Sequence, residues 1–497
     1  MILSVITASY LFNFGFPNIN TAEPQGKKPN IIVIVGEGAG WPSTSVAMDG
    51  NLRNAKQPSA LTPNLAKLAE QGMRMSAFYA SCPRCTPSRA SYFTGVSPAK
   101  LHMTYVSEGG RQRRGGATGV QEDVGDNTKL IPPSPNMELP PEILTTAGAL
   151  KLANYSSAHF GKWHVGRKAP TLKGFDEDDG ANTNAGPGNN RTPNPGEGKL
   201  ITDRGLAFIE KCVKAGKPFY LHVDHYGGGS EAEVTSESYK LVSGLYSGLR
   251  EKQLAQVGIV HDVDAQIGRI MAKLDELGIS NNTYVLYTTD HGDSGGNANL
   301  PLSMGKGSVQ EGGVRIPFIV RGPGIKPGSQ SDVRAFGWDL TPTFTELAGV
   351  TTPKQVEGGS LLSVWRGGSN VSRPVMELVI HFPHYDLSNG GPASAIFDGN
   401  FKLIRSYETG KSYLYNLAVD SAERNDLANS KPEKVAELEK RLNAYLKSVE
   451  AQMPTINPNY KPGSDFGATK RTGGGGKGGS RGRNGSGKNG GTTGGDF

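Results

Sequence analysis

Pro29 and Asn30 lead into Ile31-Ile32-Val33-Ile34-Val35, which ends in the turn Gly36-Glu37-Gly38-Ala39-Gly40. An unbroken β-branched run without polar alternation predicts a strand buried on both faces. Thr62-Pro63-Asn64 then opens a helical pattern, LAKLAEQG, that Gly72 stops. The alternation recurs. Lys217-Pro218 precedes the strand FYLHV, and a helix over 252–277 presents Leu254, Val257, Val260, Ile267, Ile270 and Leu274 before Gly278. Thr283–Thr289 and Arg315–Val320 read as further strands. Strands alternating with helices predict an α/β domain whose large, mostly parallel mixed sheet is flanked by helices. Ligands gather at the carboxyl ends of such strands, so the glycine-rich turn at 36–40 sits on the expected binding edge.

After Pro374 the texture changes. Ala395–Ile404 reads as a hairpin turning at Asp398-Gly399-Asn400, followed by a strand over Ser412–Leu417 and an amphipathic helix from Lys431 to Val449. The expected organisation is therefore a main domain over 28–373 and a small C-terminal α+β subdomain over 374–462. From Gly463 the chain is mostly Gly, Ser, Thr, Asn, Lys and Arg and cannot build a core, so 463–497 is read as a disordered tail.

Composition is coloured by that tail. The chain has 497 residues, 36% of them hydrophobic, and a formal charge of +7. Within residues 467–497 six Lys/Arg against Asp496 give +5 and leave +2 for everything before them. A folded part so near neutrality does not call for a nucleic-acid partner. The alternative for the tail is contact with RNA or an anionic polysaccharide. Three cysteines are too few for a disulfide framework. The first sixteen residues, MILSVITASYLFNFGF, form an apolar run of signal-peptide length, without a basic start or an A-x-A site. We read residues 1–25 as an export signal, hence a periplasmic, secreted or cell-surface protein; a mis-assigned start codon is the alternative. No other segment reaches the roughly 20 apolar residues that span a bilayer.

Cys82-Pro83-Arg84-Cys85 spells C-x-x-C, but no second pair with metal spacing accompanies it, which argues against zinc. The chain is also far larger than a thioredoxin-like unit. More telling is the continuation Cys85-Thr86-Pro87-Ser88-Arg89-Ala90-Ser91, with Thr94-Gly95 a few residues on. It is accompanied, in order, by Gly161-Lys162-Trp163-His164-Val165-Gly166, by Thr289-Asp290-His291-Gly292, and by Gly305-Lys306-Gly307-Ser308 with Glu311-Gly312-Gly313-Val314-Arg315-Ile316-Pro317. This set resembles the motifs of the type I, formylglycine-dependent sulfatases over roughly Lys28 to Tyr460. The resemblance implies an alkaline-phosphatase-like α/β fold and hydrolysis of sulfate monoesters.

The chemistry fits those residue types. An anionic ester must be screened before an anionic nucleophile can approach it, which lysines, arginines and a divalent cation do. An ordinary serine or cysteine would be left as a stable covalent adduct. A hydrated aldehyde attacks with one hydroxyl and, on deprotonation of the other, expels sulfate as the carbonyl reforms. The resemblance implies that Cys85, oxidised to formylglycine by a separate maturation enzyme, is nucleophile and metal ligand. Arg89 would stabilise the hydrate, Lys162 contact sulfate, His164 act as base for elimination, and Lys306 neutralise sulfate and the leaving oxygen. Glu37, Asp290 and His291 would complete the metal site, with calcium the family's usual ion. His225 and His384 are candidates for the substrate cleft, with plain packing as the alternative; His222 and His381 are open in the same way. Asp293 reads as a solvated loop acid.

Two departures stand out. The family's paired aspartates after the first strand are Glu37 and Gly38 here, which leaves room for water or another acid such as Asp49 in the metal site. The histidine expected eleven residues beyond Pro218 is Gly229. Losing a general acid costs about 10²–10⁴ in rate. The substrate implied is a sulfated small molecule or carbohydrate. Two alternatives remain: a weakly active or inactive relative that binds sulfated glycan, and a phosphate or phosphonate monoester hydrolase.

Overall fold

The computed structural model describes residues 27–52, 54–106, 128–183, 194–227, 231–294, 298–386 and 391–462. The expected export signal, the basic tail and Gly229 lie outside the described residues. So do parts of the loops at 109–135 and 181–198.

Eight strands form the main sheet: β1 (Asn30–Gly36), β2 (Met73–Met75), β3 (Ser156–Gly161), β4 (Glu177–Asp178), β5 (Phe219–His225), β6 (Thr283–Thr288), β7 (Phe318–Arg321) and β8 (Ser329–Ser331). Their order is β8-β2-β7-β6-β1-β5-β3-β4. β1 runs parallel to both β5 and β6, as β5 does to β3. β7 is antiparallel to β6 and β2, so the sheet is mixed but mostly parallel. β7 starts later than the run Arg315–Val320 suggested, because Glu311–Val314 form a helical turn that ends in Arg315.

β1 explains why an unbroken apolar run was needed. Ile31, Val33 and Val35 point into one core, with Ala90 and Phe93 of helix α2 (Cys85–Thr94) and Leu340 and Phe344 of a helix at Leu340–Ala348. Ile32 and Ile34 point the other way, into a core shared with helix α1 (Pro63–Glu70) and the helices Glu197–Lys214 and Glu251–Glu276. The period of two sends alternate residues to opposite faces, and helices cover both.

The C-terminal strands β9 (Leu378–Phe382), β10 (Ala393–Asp398), β11 (Phe401–Ser406) and β12 (Ser412–Asn416) form an antiparallel sheet. The expected hairpin is β10–β11, and the amphipathic helix is Pro432–Ser448. One face of this sheet packs on that helix through Ile396, Leu403 and Leu442. The other shares a core with Tyr79, Val309, Phe336 and Trp338 of the main domain. The subdomain is thus fused to the main domain through apolar contact, with Phe397 and Tyr79 rings 5.0 Å apart.

Candidate active site

The parallel register brings chemistry to one edge. Gly36 pairs with His225, Val35 with Thr288, and Gly161 with Asp224, so β1, β3, β5 and β6 end together. Glu37, Lys162 and Asp290 lie one or two residues beyond their strands. Cys85 reaches the same place as the first residue of α2, after Arg84 in extended conformation. All ten residues of α2 are buried although half are polar, and Gly95 at φ 70° closes the helix by donating to the Ser91 carbonyl. A helix so polar is tolerated in a core because Arg89, Tyr92 and Thr94 find hydrogen-bond partners there.

The Cys85 Sγ lies 3.1 Å from His291 Nε2 and 3.8 Å from Glu37 Oε1. One donor atom each from Glu37, Cys85, Asp290 and His291 fall within 4.8 Å of one another. His291 Nδ1 sits 2.9 Å from the Gly292 carbonyl oxygen, which can only accept, so Nδ1 carries the hydrogen and Nε2 presents its lone pair to the cluster. That is how a metal-binding imidazole is normally oriented. The donors therefore fit a divalent cation. Gly38 adjoins them at φ 60°, and a β-carbon there would meet His291 Cε1 at 3.4 Å. The imidazole fills the space beside the missing side chain. Asp49 does not complete the set: it accepts from the Asn51 backbone N–H and from Gln330.

Cations surround the thiol. Arg89, one helical turn on and fully buried, donates from Nε to Asp290 Oδ2 at 2.9 Å and from Nη1 to Asp224 Oδ2 at 2.9 Å. Nη1 also reaches the Lys162 carbonyl. Lys162 pairs with Glu37, and its Nζ stands 4.0 Å from Asp290 Oδ2. His164, at φ 52°, is buried beside Cys85 and lowers its thiol. Lys306 is held from both sides. Its N–H donates to the Asp293 carbonyl, and the Gly307 N–H donates to that of Pro83, two residues before Cys85. Burial opposes ionisation of the Cys85 thiol, yet Lys162, Lys306, His291 and His164 bring it well below the ordinary thiol range. Burial works against Lys306 as well, and the charges of Cys85 and Glu37 raise it nonetheless. Cys82 and Cys212 go the other way, with burial pushing both thiols up, Cys212 to about 11. Only Cys85 is electrostatically prepared.

Eight sequence-derived candidates, Glu37, Cys85, Arg89, Lys162, His164, Asp290, His291 and Lys306, thus meet at one edge. Two others stand apart from this cluster. His225 follows Phe219, Leu221 and Val223 toward the face opposite α2, near Gly198, and its ring nitrogens bond to nothing among the described residues. Burial lowers it to about 4. His384 is buried against Thr104 Oγ1 at 2.8 Å and beside the Tyr105 ring, and burial lowers it to about 3. Asp293 is a correction: it is buried, and its N–H donates to Asn299 Oδ1.

The sequence reading passed over Asp224. It accepts from Arg89, from Tyr92 Oη at 3.0 Å and from His222 Nδ1 at 3.0 Å. Its signal was available, since an acid inside the fully buried strand Phe219–His225 must find partners or remain neutral. Arg84 was missed as well. It pairs with Asp386, and its guanidinium lies over the Tyr105 ring.

A buried cysteine at a helix start, between lysines, an arginine and two carboxylates able to hold a cation, suits a hydrolase for anionic esters. Comparison narrows the class. The family model described as Sulfatase matches residues 29–350, and that of the N-sulphoglucosamine sulphohydrolase C-terminal region matches 304–452. The N-acetylgalactosamine-6-sulfatase of Sus scrofa is 31% identical over 395 residues, covering 71% of this chain and 69% of its own. A sulfatase of Formosa agariphila is 27% identical over 497 residues, covering 83% and 86%. Among solved structures, Ps i-CgsB in complex with k-i-k-neocarrahexaose superposes with a TM-score of 0.68 at 20% identity, covering 90% of this chain and 96% of that one. The chain belongs to the sulfatase family and is a sulfate ester hydrolase with the alkaline-phosphatase-like fold.

Proposed function

We propose that this sulfatase removes sulfate from carbohydrates, with residue 85 acting as formylglycine and a divalent cation held by Glu37, Asp290, His291 and residue 85. The observation that carries the reading is the single anion-ready thiol of the chain, 3.1 Å from a metal-oriented imidazole and ringed by Lys162, Lys306 and Arg89. Formylglycine supplies a geminal diol as a self-releasing nucleophile. A divalent cation would polarise the sulfate oxygens. Its two carboxylate donors suit calcium, the family's usual ion.

The protein's own groups do the rest. Lys162 and Lys306 screen the sulfate charge, and Lys306 also offsets the charge that develops on the leaving oxygen. Arg89 holds the hydroxyls of residue 85, and His164 accepts the proton whose loss releases sulfate. Similarity to the N-acetylgalactosamine-6-sulfatase supports a sulfated carbohydrate as substrate. In this reading residues 28–373 carry catalysis, 374–462 form the appended subdomain, and residues 1–25 direct export. Maturation needs a formylglycine-generating partner.

The test is mass spectrometry of the peptide containing Cys85, from a host with the maturation machinery, joined to hydrolysis of p-nitrophenyl sulfate and p-nitrophenyl phosphate. The peptide is expected to be lighter by one sulfur and two hydrogens and heavier by one oxygen, with sulfate the preferred ester. An unmodified thiol, or preference for phosphate, would overturn the proposal.

A further inference from the structure

Asp224 is the penultimate residue of β5, with its side chain on the α2 face against Arg89 and Tyr92. Its Oδ2 takes Arg89 Nη1 at 2.9 Å and Tyr92 Oη at 3.0 Å, and its Oδ1 lies 3.0 Å from His222 Nδ1. Since the carboxylate can only accept, His222 Nδ1 donates, and Nε2 of the same ring accepts from Tyr220 Oη at 2.7 Å. The backbone of Asp224 serves the site too. Its carbonyl accepts the Lys162 N–H at 2.8 Å and lies where a β-carbon on Gly161 would stand, so the Gly161-Lys162 turn is shaped around it. One residue fixes Arg89 by its side chain and Lys162 by its main chain. Those two cations in turn bind the two carboxylates of the metal cradle, Asp290 and Glu37.

Charge gives this arrangement a purpose. Arg89 bridges Asp290 and Asp224, and Lys162 pairs with Glu37. Counting histidines as neutral, three carboxylates face two cations, which leaves one negative charge to attract a metal ion. Without Asp224 the same group would be neutral, and Asp290 alone would balance Arg89. Lys306 also answers Glu37 and Asp290, but it is common to both cases, so the loss of Asp224 still removes one negative charge from the group.

We propose that Asp224 is a positioning residue that neutralises Arg89 from behind and so leaves Asp290 free to bind the divalent cation. The inference rests on the metal reading given under Proposed function. Hydrogen-bonded partners behind metal ligands typically change metal affinity by about 10–100-fold when replaced. Here the effect runs through charge rather than through contact with the metal.

Calcium titration calorimetry on the full, formylglycine-bearing protein after chelator treatment tests it, with circular dichroism as the check on folding. Asp224→Asn keeps the shape and loses the charge; it is expected to weaken calcium binding by about 10–100-fold. Arg89→Gln leaves three carboxylates against Lys162, and is expected to bind calcium at least as tightly as the unsubstituted chain. A merely structural role for the pair predicts weaker binding there too. In Asp224→Asn/Arg89→Gln the original charge returns, and affinity is expected to recover above that of Asp224→Asn. Unchanged affinity in Asp224→Asn, or weakened binding in Arg89→Gln, would overturn the inference. No calcium binding by the unsubstituted protein would overturn the metal reading itself, and this inference with it.

Discussion

Cys85 Sγ and His291 Nε2 are 3.1 Å apart, and the Gly292 carbonyl holds the far side of the imidazole so that its lone pair faces the sulfur. The two residues are 206 positions apart in sequence. They meet because one starts α2 and the other follows β6 at the same edge of the sheet. A candidate nucleophile and a candidate metal donor placed this way should fail together.

Replacement of Cys85 by Ala is therefore expected to abolish sulfate ester hydrolysis, whereas Cys82→Ala is expected to leave turnover within about twofold. Cys82 is buried with its thiol pushed up, three residues before the motif cysteine. Steady-state rates on p-nitrophenyl sulfate check both. Equal losses would point to a paired-cysteine role instead.

Gly38 and His291 should be coupled. At φ 60° an aspartate is tolerated, but its side chain would press on the imidazole that a β-carbon already meets at 3.4 Å. Gly38→Asp alone is expected to lower the melting temperature without tightening calcium. Combined with His291→Asn, which frees the space, it is expected to bind calcium more tightly than either single variant. Additive calorimetric affinities would refute the coupling.

Acid should destabilise the fold through buried histidines. Burial lowers His225 and His381 to about 4 and His384 to about 3, against an ordinary 6.5. Below pH 6.5 the unfolded chain binds a proton at each position and the folded chain does not. Stability therefore falls as the pH drops from 6.5 toward 4, by up to about 1.4 kcal/mol per pH unit for each histidine. Urea unfolding at pH 7, 5.5 and 4.5 measures the slope, and His225→Gln, at a ring whose nitrogens bond to nothing among the described residues, should flatten it. A slope unchanged by that substitution would remove His225 from the account.

The strands and helices were legible because their signals are local. Ile31–Val35 could only be a doubly buried strand, and Asp398-Gly399-Asn400 could only turn a hairpin. The cluster at the strand ends was legible through four motifs in order, Cys85 to Arg89 among them. What escaped were partners chosen by three-dimensional register. Asp224 looked like one polar residue in LHVDHY until β5 aligned with β3 and set it behind Arg89. Asp293 looked like a loop acid because nothing near it in sequence shows the loop folding inward onto Asn299. Arg84 and Asp386 are 302 residues apart, and no spacing rule connects them.

The same register explains the last expectation, at the seam between the two sheets. Lys402 of β11 is fully buried and bridges Glu311 at 2.9 Å and Glu423 at 2.8 Å. Glu311 also accepts from Tyr79 Oη at 2.8 Å, and Glu423 accepts the Glu311 N–H at 2.8 Å and the Ser303 hydroxyl. Ser303 and Glu311 flank the segment that carries Lys306, so the C-terminal sheet anchors a catalytic candidate through one ammonium group. Lys402→Met would leave two carboxylates sharing a dry site. Breaking a buried pair from one side costs about 3–5 kcal/mol. The variant is expected to lose that much in urea unfolding and to lower kcat. The double replacement Lys402→Met/Glu423→Gln should recover part of the stability, because one of the stranded charges is gone. A Lys402→Met protein as stable as the unsubstituted chain would mean that the apolar contacts of Tyr79, Phe336 and Phe397 hold the seam without the ions.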